Sequence, residues 1–189
     1  MRIIAGRFKG RRLATPDWEG LRPTSDKLRE TLFNVLGGRI EEARVLDACA
    51  GTGAVGLEAV SRGASLVLAV EQDSRAVRLM RRNAATCGLT AGYTIEHGDV
   101  AMVLHRLDQA ARFDVIFLDP PYASPDIEAL LTSAATRLAP AGVLVLERAT
   151  RQAPPEVAAL VRQRDVRSGD STLTMFVPRA SVGSSPEIP

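Results

Sequence analysis

Cysteine is scarce in this chain. Its 189 residues include only Cys49 and Cys87. The two are far apart and have no C-x-x-C spacing, which excludes a disulfide framework and a thiolate zinc site. Histidine is equally sparse: His97 and His105 have no partners at metal-ligand or triad spacing. Both read as surface residues, and no metal is expected. No run of about 18 apolar residues occurs, so no membrane span is expected. The start, Met1-Arg2-Ile3-Ile4-Ala5-Gly6-Arg7, lacks the apolar stretch of a secretory signal. Together with the sparse cysteine, this leads to the expectation of a cytoplasmic location; a monomer is also expected.

There is also no strong excess of charge, since the formal net charge is +2. The small total hides an asymmetry. Residues 1–40 carry nine Lys/Arg against four Asp/Glu, whereas the remainder carries fifteen against eighteen. A basic end on a slightly acidic body suits a polyanion-binding edge, although a merely solvated basic face would look the same.

Residues 2–15 alternate loosely around Gly6 and Gly10, as a short basic hairpin would. From Ser25, the recurrence of Leu28, Leu32, Val35 and Leu36 predicts a helix that Gly37-Gly38 stops. Strands and helices then alternate. Strands are predicted at 45–48, 66–71, 93–96, 115–118 and 143–146, and helices at 55–62, up to about Cys87, 100–107, 126–138 and 155–163. The end, from Asp165 to Val177, reads as two strands turning at Ser168-Gly169-Asp170. Such alternation makes an α/β fold, a mostly parallel sheet with helices on both faces. The expected organisation is a basic hairpin extension over 1–23, a catalytic domain over 24–178 and a disordered tail over 179–189.

Three segments carry chemistry. The first is Asp47-Ala48-Cys49-Ala50-Gly51-Thr52-Gly53-Ala54-Val55-Gly56, a glycine turn after the first strand that aims a helix N-terminus at a ligand. With Glu71 twenty residues after Gly51, it meets the dinucleotide fingerprint literally and cannot by itself separate NAD from S-adenosylmethionine. Both ligands have an adenosine ribose whose hydroxyls an acid at that position can hold. The second segment is Gly98-Asp99, after the third strand, where a carboxylate can accept from an adenine amine. The third is Asp119-Pro120-Pro121-Tyr122, after the apolar fourth strand. Two prolines stiffen the backbone and leave carbonyls free to accept. The aspartate adds a charged acceptor and the tyrosine a flat ring, a set that suits a planar base bearing an exocyclic amine. Cys49 reads as a small core residue, and Trp18 as the anchor of its Pro-flanked loop.

These segments, in this order, resemble the amino-methylating S-adenosylmethionine methyltransferases. The N-terminal blocks narrow the resemblance. Arg2-Ile3-Ile4-Ala5-Gly6, Gly10-Arg11, Gly20-Leu21-Arg22-Pro23-Thr24-Ser25-Asp26 and Arg29-Glu30-Thr31-Leu32-Phe33-Asn34 are similar to the RsmD-type 16S ribosomal RNA guanine-N2 methyltransferases. Gly56-Leu57-Glu58-Ala59, Ser61-Arg62-Gly63-Ala64 and Gly169-Asp170-Ser171 match as well. The resemblance implies a Rossmann-like methyltransferase fold with a seven-stranded sheet. It places Asp47, Gly51, Thr52, Gly53, Glu71 and Asp99 at S-adenosylmethionine, with Arg22 and Thr24 near the methionine end of that cofactor. It puts Asp119, Pro120 and Tyr122 at the target guanine. Arg2, Arg7, Lys9, Arg11 and Arg12 would touch phosphates of 16S ribosomal RNA or of the small subunit. The hairpin is expected to lie apart from the cofactor site, so that a chain lacking residues 1–15 would still fold.

Rival readings are an adenine-N6 DNA methyltransferase, a protein glutamine methyltransferase, an NAD-dependent oxidoreductase and a non-catalytic RNA-binding module. The first would need an extra element to read base edges in a duplex. The basic N-terminal block argues against the second. The third leaves Asp119 to Tyr122 without a role, and the fourth needs no intact cofactor loop.

Overall fold

A computed structural model describes residues 1–21, 23–121 and 126–179. The expectations for Arg22, for Tyr122 and for the tail beyond Arg179 fall outside these residues.

Helix α1 (Asp26–Leu36) begins where Ser25 supplies a cap, its hydroxyl accepting from the Leu28 N–H at 3.1 Å. Its Leu28, Leu32, Phe33 and Leu36 are buried against the sheet. Each such side chain contributes roughly 1.5–3 kcal/mol of burial. The chain then alternates through β1 (Arg44–Ala48), α2 (Ala54–Ser61), β2 (Leu66–Glu71), α3 (Ser74–Thr86), β3 (Tyr93–His97), α4 (Val100–Arg106), β4 (Phe113–Leu118), α5 (Ile127–Ala135) and β5 (Leu138–Ala149). It closes with β6 (Leu160–Ser168) and β7 (Ser171–Pro178).

One seven-stranded sheet results, in the order β3-β2-β1-β4-β5-β7-β6. The first five strands run parallel, while β7 is antiparallel to both β5 and β6, so the sheet is mixed. In β4, Val115 and Phe117 face α1 and α2, whereas Ile116 and Leu118 face α4 and α5. Burial on both faces explains why this strand is an unbroken apolar run. Strand order reverses between β1 and β4, where crevices open at the carboxyl ends of a doubly wound sheet.

The expected helix over 155–163 is absent. The chain is irregular after Pro154-Pro155, then enters β6 at Leu160. Val157 and Leu160 are both buried in the core, and their three-residue spacing imitates a helical stripe. Backbone pairing decides the matter, because β6 bonds to β7 along its length through the tight turn at Gly169-Asp170. A long antiparallel partner satisfies the N–H groups of the segment that face it, which one weak turn of helix after two prolines could not. The outer edge of β6 is charged and bulged between Arg162 and Arg164, features that discourage pairing with another sheet.

Candidate active site

Side chains two residues apart on a strand share a face. Asp47 of β1 stands in register with Ala69 of β2 and with Phe117 of β4, and Phe117 with Val145 of β5. Two residues further along these strands stand Glu71, Asp119 and Glu147. The β4 ladder reaches Asp119, whose N–H donates to the Ala48 carbonyl at 3.4 Å. Asp47, Glu71, Asp119 and Glu147 therefore leave the same sheet face at the carboxyl ends of four adjacent strands. With Asp99 they line one cavity of about 650 Å³. Arg75 is the single cationic group among the described lining residues, and its guanidinium is paired with Asp73 at 2.7 Å.

The glycine loop is braced from below by these acids. Glu71 accepts the Gly51 N–H on one oxygen and the Asp73 N–H on the other, both at 2.8 Å. Asp47 accepts the Gly56 N–H at 2.8 Å and so holds the first turn of α2. Gly53 caps that helix at φ +73°, a left-handed conformation that costs glycine nothing. A Cβ there would also sit 2.4 Å from Cγ of Met80 and 2.6 Å from the Tyr93 hydroxyl, so a larger residue would have to displace both side chains.

Burial sets the protonation of the floor. It raises the Asp47 carboxyl to about 7, against the lowering effect of the Gly56 hydrogen bond and with help from nearby Glu71. Burial also raises Asp119 to about 8, followed by repulsion from Glu147 and Asp47 and by a hydrogen bond with Glu147. The Cys49 thiol is pushed up to about 12 by burial and then by Glu71, Asp119, Asp47 and Asp99. It remains a neutral thiol at physiological pH, in keeping with a packing role beside the core.

The cavity gathers most of the residues expected from sequence. Thr24, Asp47, Gly51, Thr52, Glu71, Asp99, Asp119 and Pro120 line it, whereas Gly53 sits behind the loop. Asp99 also caps α4, accepting from the Met102 N–H at 3.0 Å. Trp18 lies under the Arg75 guanidinium, 5.3 Å from carbon to ring centroid, and so ties the loop before α1 to the start of α3. Among the lining residues that the sequence reading did not place at the site are the polar pair Glu147 and Ser171. The signal for Glu147 was available: like Asp119, it is the first acid after an apolar strand run.

The N-terminal segment forms a narrow hairpin, with Arg2 bridging Arg12 and the Ile3 N–H donating to the Arg11 carbonyl at 2.9 Å. It lies along α2 as part of the domain's packing. Ile3 and Leu13 are buried with Ala54, Leu57 and Cys87. Glu58, on the inner face of α2, accepts the Ile4 and Ala5 N–H groups at 2.7 and 2.9 Å. The same carboxylate meets Arg62 at 2.8 Å and Arg29 at 3.5 Å. Gly6 approaches α2 so closely that a Cβ would fall 1.8 Å from the Ser61 carbonyl oxygen. Asn83 of α3 bonds to both backbone groups of Ala14 and donates to the Thr52 carbonyl of the glycine loop. The expectation that a chain lacking residues 1–15 would fold does not survive this geometry, because removal would strip donors from a buried carboxylate. Arg2, Arg7, Lys9, Arg11 and Arg12 nevertheless remain exposed on the outer side of the hairpin.

The parallel half-sheet, the glycine loop at the head of α2 and the acids at the strand ends define a Rossmann-like methyltransferase. Comparison with known proteins agrees. The chain belongs to the family described as conserved hypothetical protein 95, whose model matches residues 1–177. It is 40% identical over 124 residues to ribosomal RNA small subunit methyltransferase D of Haemophilus influenzae, an alignment covering 65% of this chain and 64% of that protein. It is 38% identical over 122 residues to the enzyme of the same name from Escherichia coli K12, covering 65% of this chain and 60% of that one. The solved structure of the Escherichia coli protein yhhF, described as a methyltransferase, superposes with a TM-score of 0.83 at 31% identity, covering 95% of this chain and 98% of that one. No described helix is long and apolar enough to cross a membrane.

Proposed function

We propose that this enzyme transfers a methyl group from S-adenosylmethionine to the exocyclic N2 amine of a guanine in small-subunit ribosomal RNA. The observation that carries the reading is the meeting of Asp119-Pro120 with the glycine loop in one cavity, walled by carboxylates. S-adenosylmethionine, when bound, supplies an electrophilic methyl on a positively charged sulfur. An acidic cavity suits a cationic ligand. Glu71, at the end of β2, is placed to meet ribose hydroxyls, and Gly51 and Thr52 offer backbone at close range. Asp99 stands at the third strand end, where an adenine amine would find an acceptor.

The target amine is a weak nucleophile, because its lone pair is delocalised into the ring. Asp119 and Pro120 line the same cavity, and a carboxyl and a carbonyl holding both amine hydrogens would orient the lone pair for transfer. The acids repel phosphate, so a nucleic acid would present a base to the cavity and keep its backbone outside. The exposed arginines of the hairpin are suited to that backbone. Arg11 adds a tie from the hairpin to the last turn of α3 through the Thr86 carbonyl at 2.6 Å. Among the described residues no element projects from the domain to read a duplex, which favours a pre-folded RNA over DNA.

The direct test is transfer of labelled methyl to small subunits and to naked 16S RNA from cells lacking the enzyme, with the product nucleoside identified. N2-methylguanosine is expected, and N6-methyladenosine or no transfer would overturn the reading.

Two further outcomes are expected. Glu71→Ala should weaken S-adenosylmethionine binding by about 1.5–3 kcal/mol in calorimetry. Part of that loss would come from the Gly51 N–H left without its acceptor, so unchanged affinity would remove Glu71 from the site. Replacing Arg7, Lys9, Arg11 and Arg12 with alanine should flatten the log–log salt dependence of RNA affinity by about 0.7–0.9 per lost phosphate contact. An unchanged slope would mean that these side chains only solvate an edge.

A further inference from the structure

The hairpin over residues 1–15 and helix α3 together hold nine of the chain's 24 Lys/Arg and none of its 22 Asp/Glu. The hairpin's share is assigned above to RNA phosphates. The remainder, Arg75, Arg78, Arg81 and Arg82 of α3, is exposed, while Ala76, Val77, Leu79, Met80 and Asn83 turn the other side of the helix into the core. Arg78 is three residues from Arg75 and from Arg81, and four from Arg82, spacings that make side chains neighbours on a helix. Like charges at these spacings repel and weaken the helix, and no acid within α3 offsets them. Arg75 is committed to Asp73 and to the Trp18 ring. Among the described residues Arg78, Arg81 and Arg82 form no ion pair, and Arg78 meets only the Ser74 hydroxyl, at 3.4 Å.

The fold joins this face to the hairpin. Arg11 donates to the Thr86 carbonyl at 2.6 Å, at the end of α3. Its guanidinium lies 5.3 Å from the centroid of the Phe8 ring, which that of Arg7 also covers at 4.6 Å. Asn83 ties Ala14 of the hairpin to the last turns of the same helix. Two acids flank the pair of elements, and both are engaged: Asp73 with Arg75, and the buried Glu58 with Arg29 and Arg62.

We propose that the exposed face of α3 is the second half of the RNA-docking surface, with Arg78, Arg81 and Arg82 meeting phosphates of the RNA that the hairpin holds. The inference rests on the reading of the substrate as RNA. Helix α3 has 13 residues and is about 20 Å long, so its arginines carry the basic surface from the hairpin toward Asp73 and Arg75 at the cavity wall. A guanidinium keeps its charge at neutral pH and offers a planar fork of N–H donors that matches a phosphate. A strip of arginine without acid is neutralised by a polyanion, whereas the acidic cavity repels one. The nucleic-acid backbone is thus held on the flank of the domain while one base enters. Contacts of this kind give affinity and orientation and leave the choice of base to the cavity.

The test measures binding of the full-length protein to naked 16S RNA, and to small subunits from cells lacking the enzyme, across a salt series. Replacing Arg78, Arg81 and Arg82 together with alanine should flatten the log–log slope on both ligands by about 0.7–0.9 per lost contact, roughly two in all. Replacing the same three with lysine keeps the charge and should keep the slope. These side chains do not line the cavity, so calorimetric affinity for S-adenosylmethionine and the melting temperature should match the wild type. KM for RNA should rise in the alanine variant with kcat unchanged. A charge-matched control replaces Arg39, Arg44 and Arg112, which are exposed at the amino ends of strands, and should leave the slope as it was. A wild-type slope in the α3 alanine variant would overturn the proposal. An equal loss from the control would do the same, by making net charge the cause. A loss on subunits alone would put an acidic protein against α3 and would also overturn it. If the wild type binds RNA but methylates nothing, the functional reading fails while the slopes still decide the surface. If it binds no RNA, both fail.

Discussion

Replacing Asp119 with alanine is expected to lower kcat on the order of 10²-fold or more while leaving cofactor affinity nearly intact. The asymmetry follows from position. The residues suited to the cofactor belong to the loop after β1 and the ends of β2 and β3, whereas Asp119 stands at the end of β4 beside Pro120. A positioned acceptor acts most strongly when the amine lone pair must turn toward the methyl, so its removal should fall on the rate. Fold damage can be separated from lost chemistry by the neutral isostere. Burial raises the folded carboxyl to about 8, above its unfolded range near 4, so the native state binds the proton more tightly than the unfolded chain. That contribution is fully present below the unfolded pKa and is lost as pH rises through about 8. Asp119→Asn removes the buried charge and should melt no lower than the wild type at alkaline pH. Calorimetric affinity, kcat and melting temperature on the two variants check the prediction together, and a large loss of cofactor affinity in a folded protein would refute it.

The largest effect on stability is expected at Glu58. Its side chain is fully buried in α2 and gathers two backbone N–H groups of the hairpin with the guanidiniums of Arg62 and Arg29. Arg29 is itself fully buried and donates to the Arg2 carbonyl and to Asp26. Glu58→Ala would take away the buried one of the two carboxylates that Arg29 meets, leaving it Asp26, and would strand the Ile4 and Ala5 donors. Breaking such a buried pair costs about 3–5 kcal/mol. In a domain of this length that corresponds to a fall in melting temperature of roughly ten degrees. Denaturant unfolding checks it, and a loss below about 1 kcal/mol would show that the hub is replaceable by water. The same argument expects a chain lacking residues 1–15 to be unstable, so the RNA role of the hairpin should be probed by changing its outward-facing arginines.

Much of this architecture was legible in the chain. The apolar runs of β1, β2 and β4 mark strands buried on both faces, and their regular separation by helical stretches requires a parallel sheet. The glycine turn after β1 and the Asp-Pro-Pro after β4 sit at carboxyl ends of strands, so their convergence followed from topology. The segment over 155–163 was misjudged because burial of Val157 and Leu160 looks alike in a helix and in a strand entry. Which of the two forms depends on whether β7 is available to pair, and that is settled some fifteen residues later in the chain.

By itself, then, the sequence determined the fold class, the family and the segments that carry chemistry, since each depends on local pattern or short spacing. Tertiary structure alone decided which groups act on one another. Sheet register set Glu147 beside Asp119, two strands that nothing local connects, and β7 brought Ser171 to meet them. Folding also turned the N-terminal arginine segment from an appendage into a wall of the domain, because its Ile4 and Ala5 N–H groups complete the hydrogen bonding of the buried Glu58 in α2. Buried polar groups find partners across the chain, and spacing along a sequence carries no record of which distant backbone supplies them.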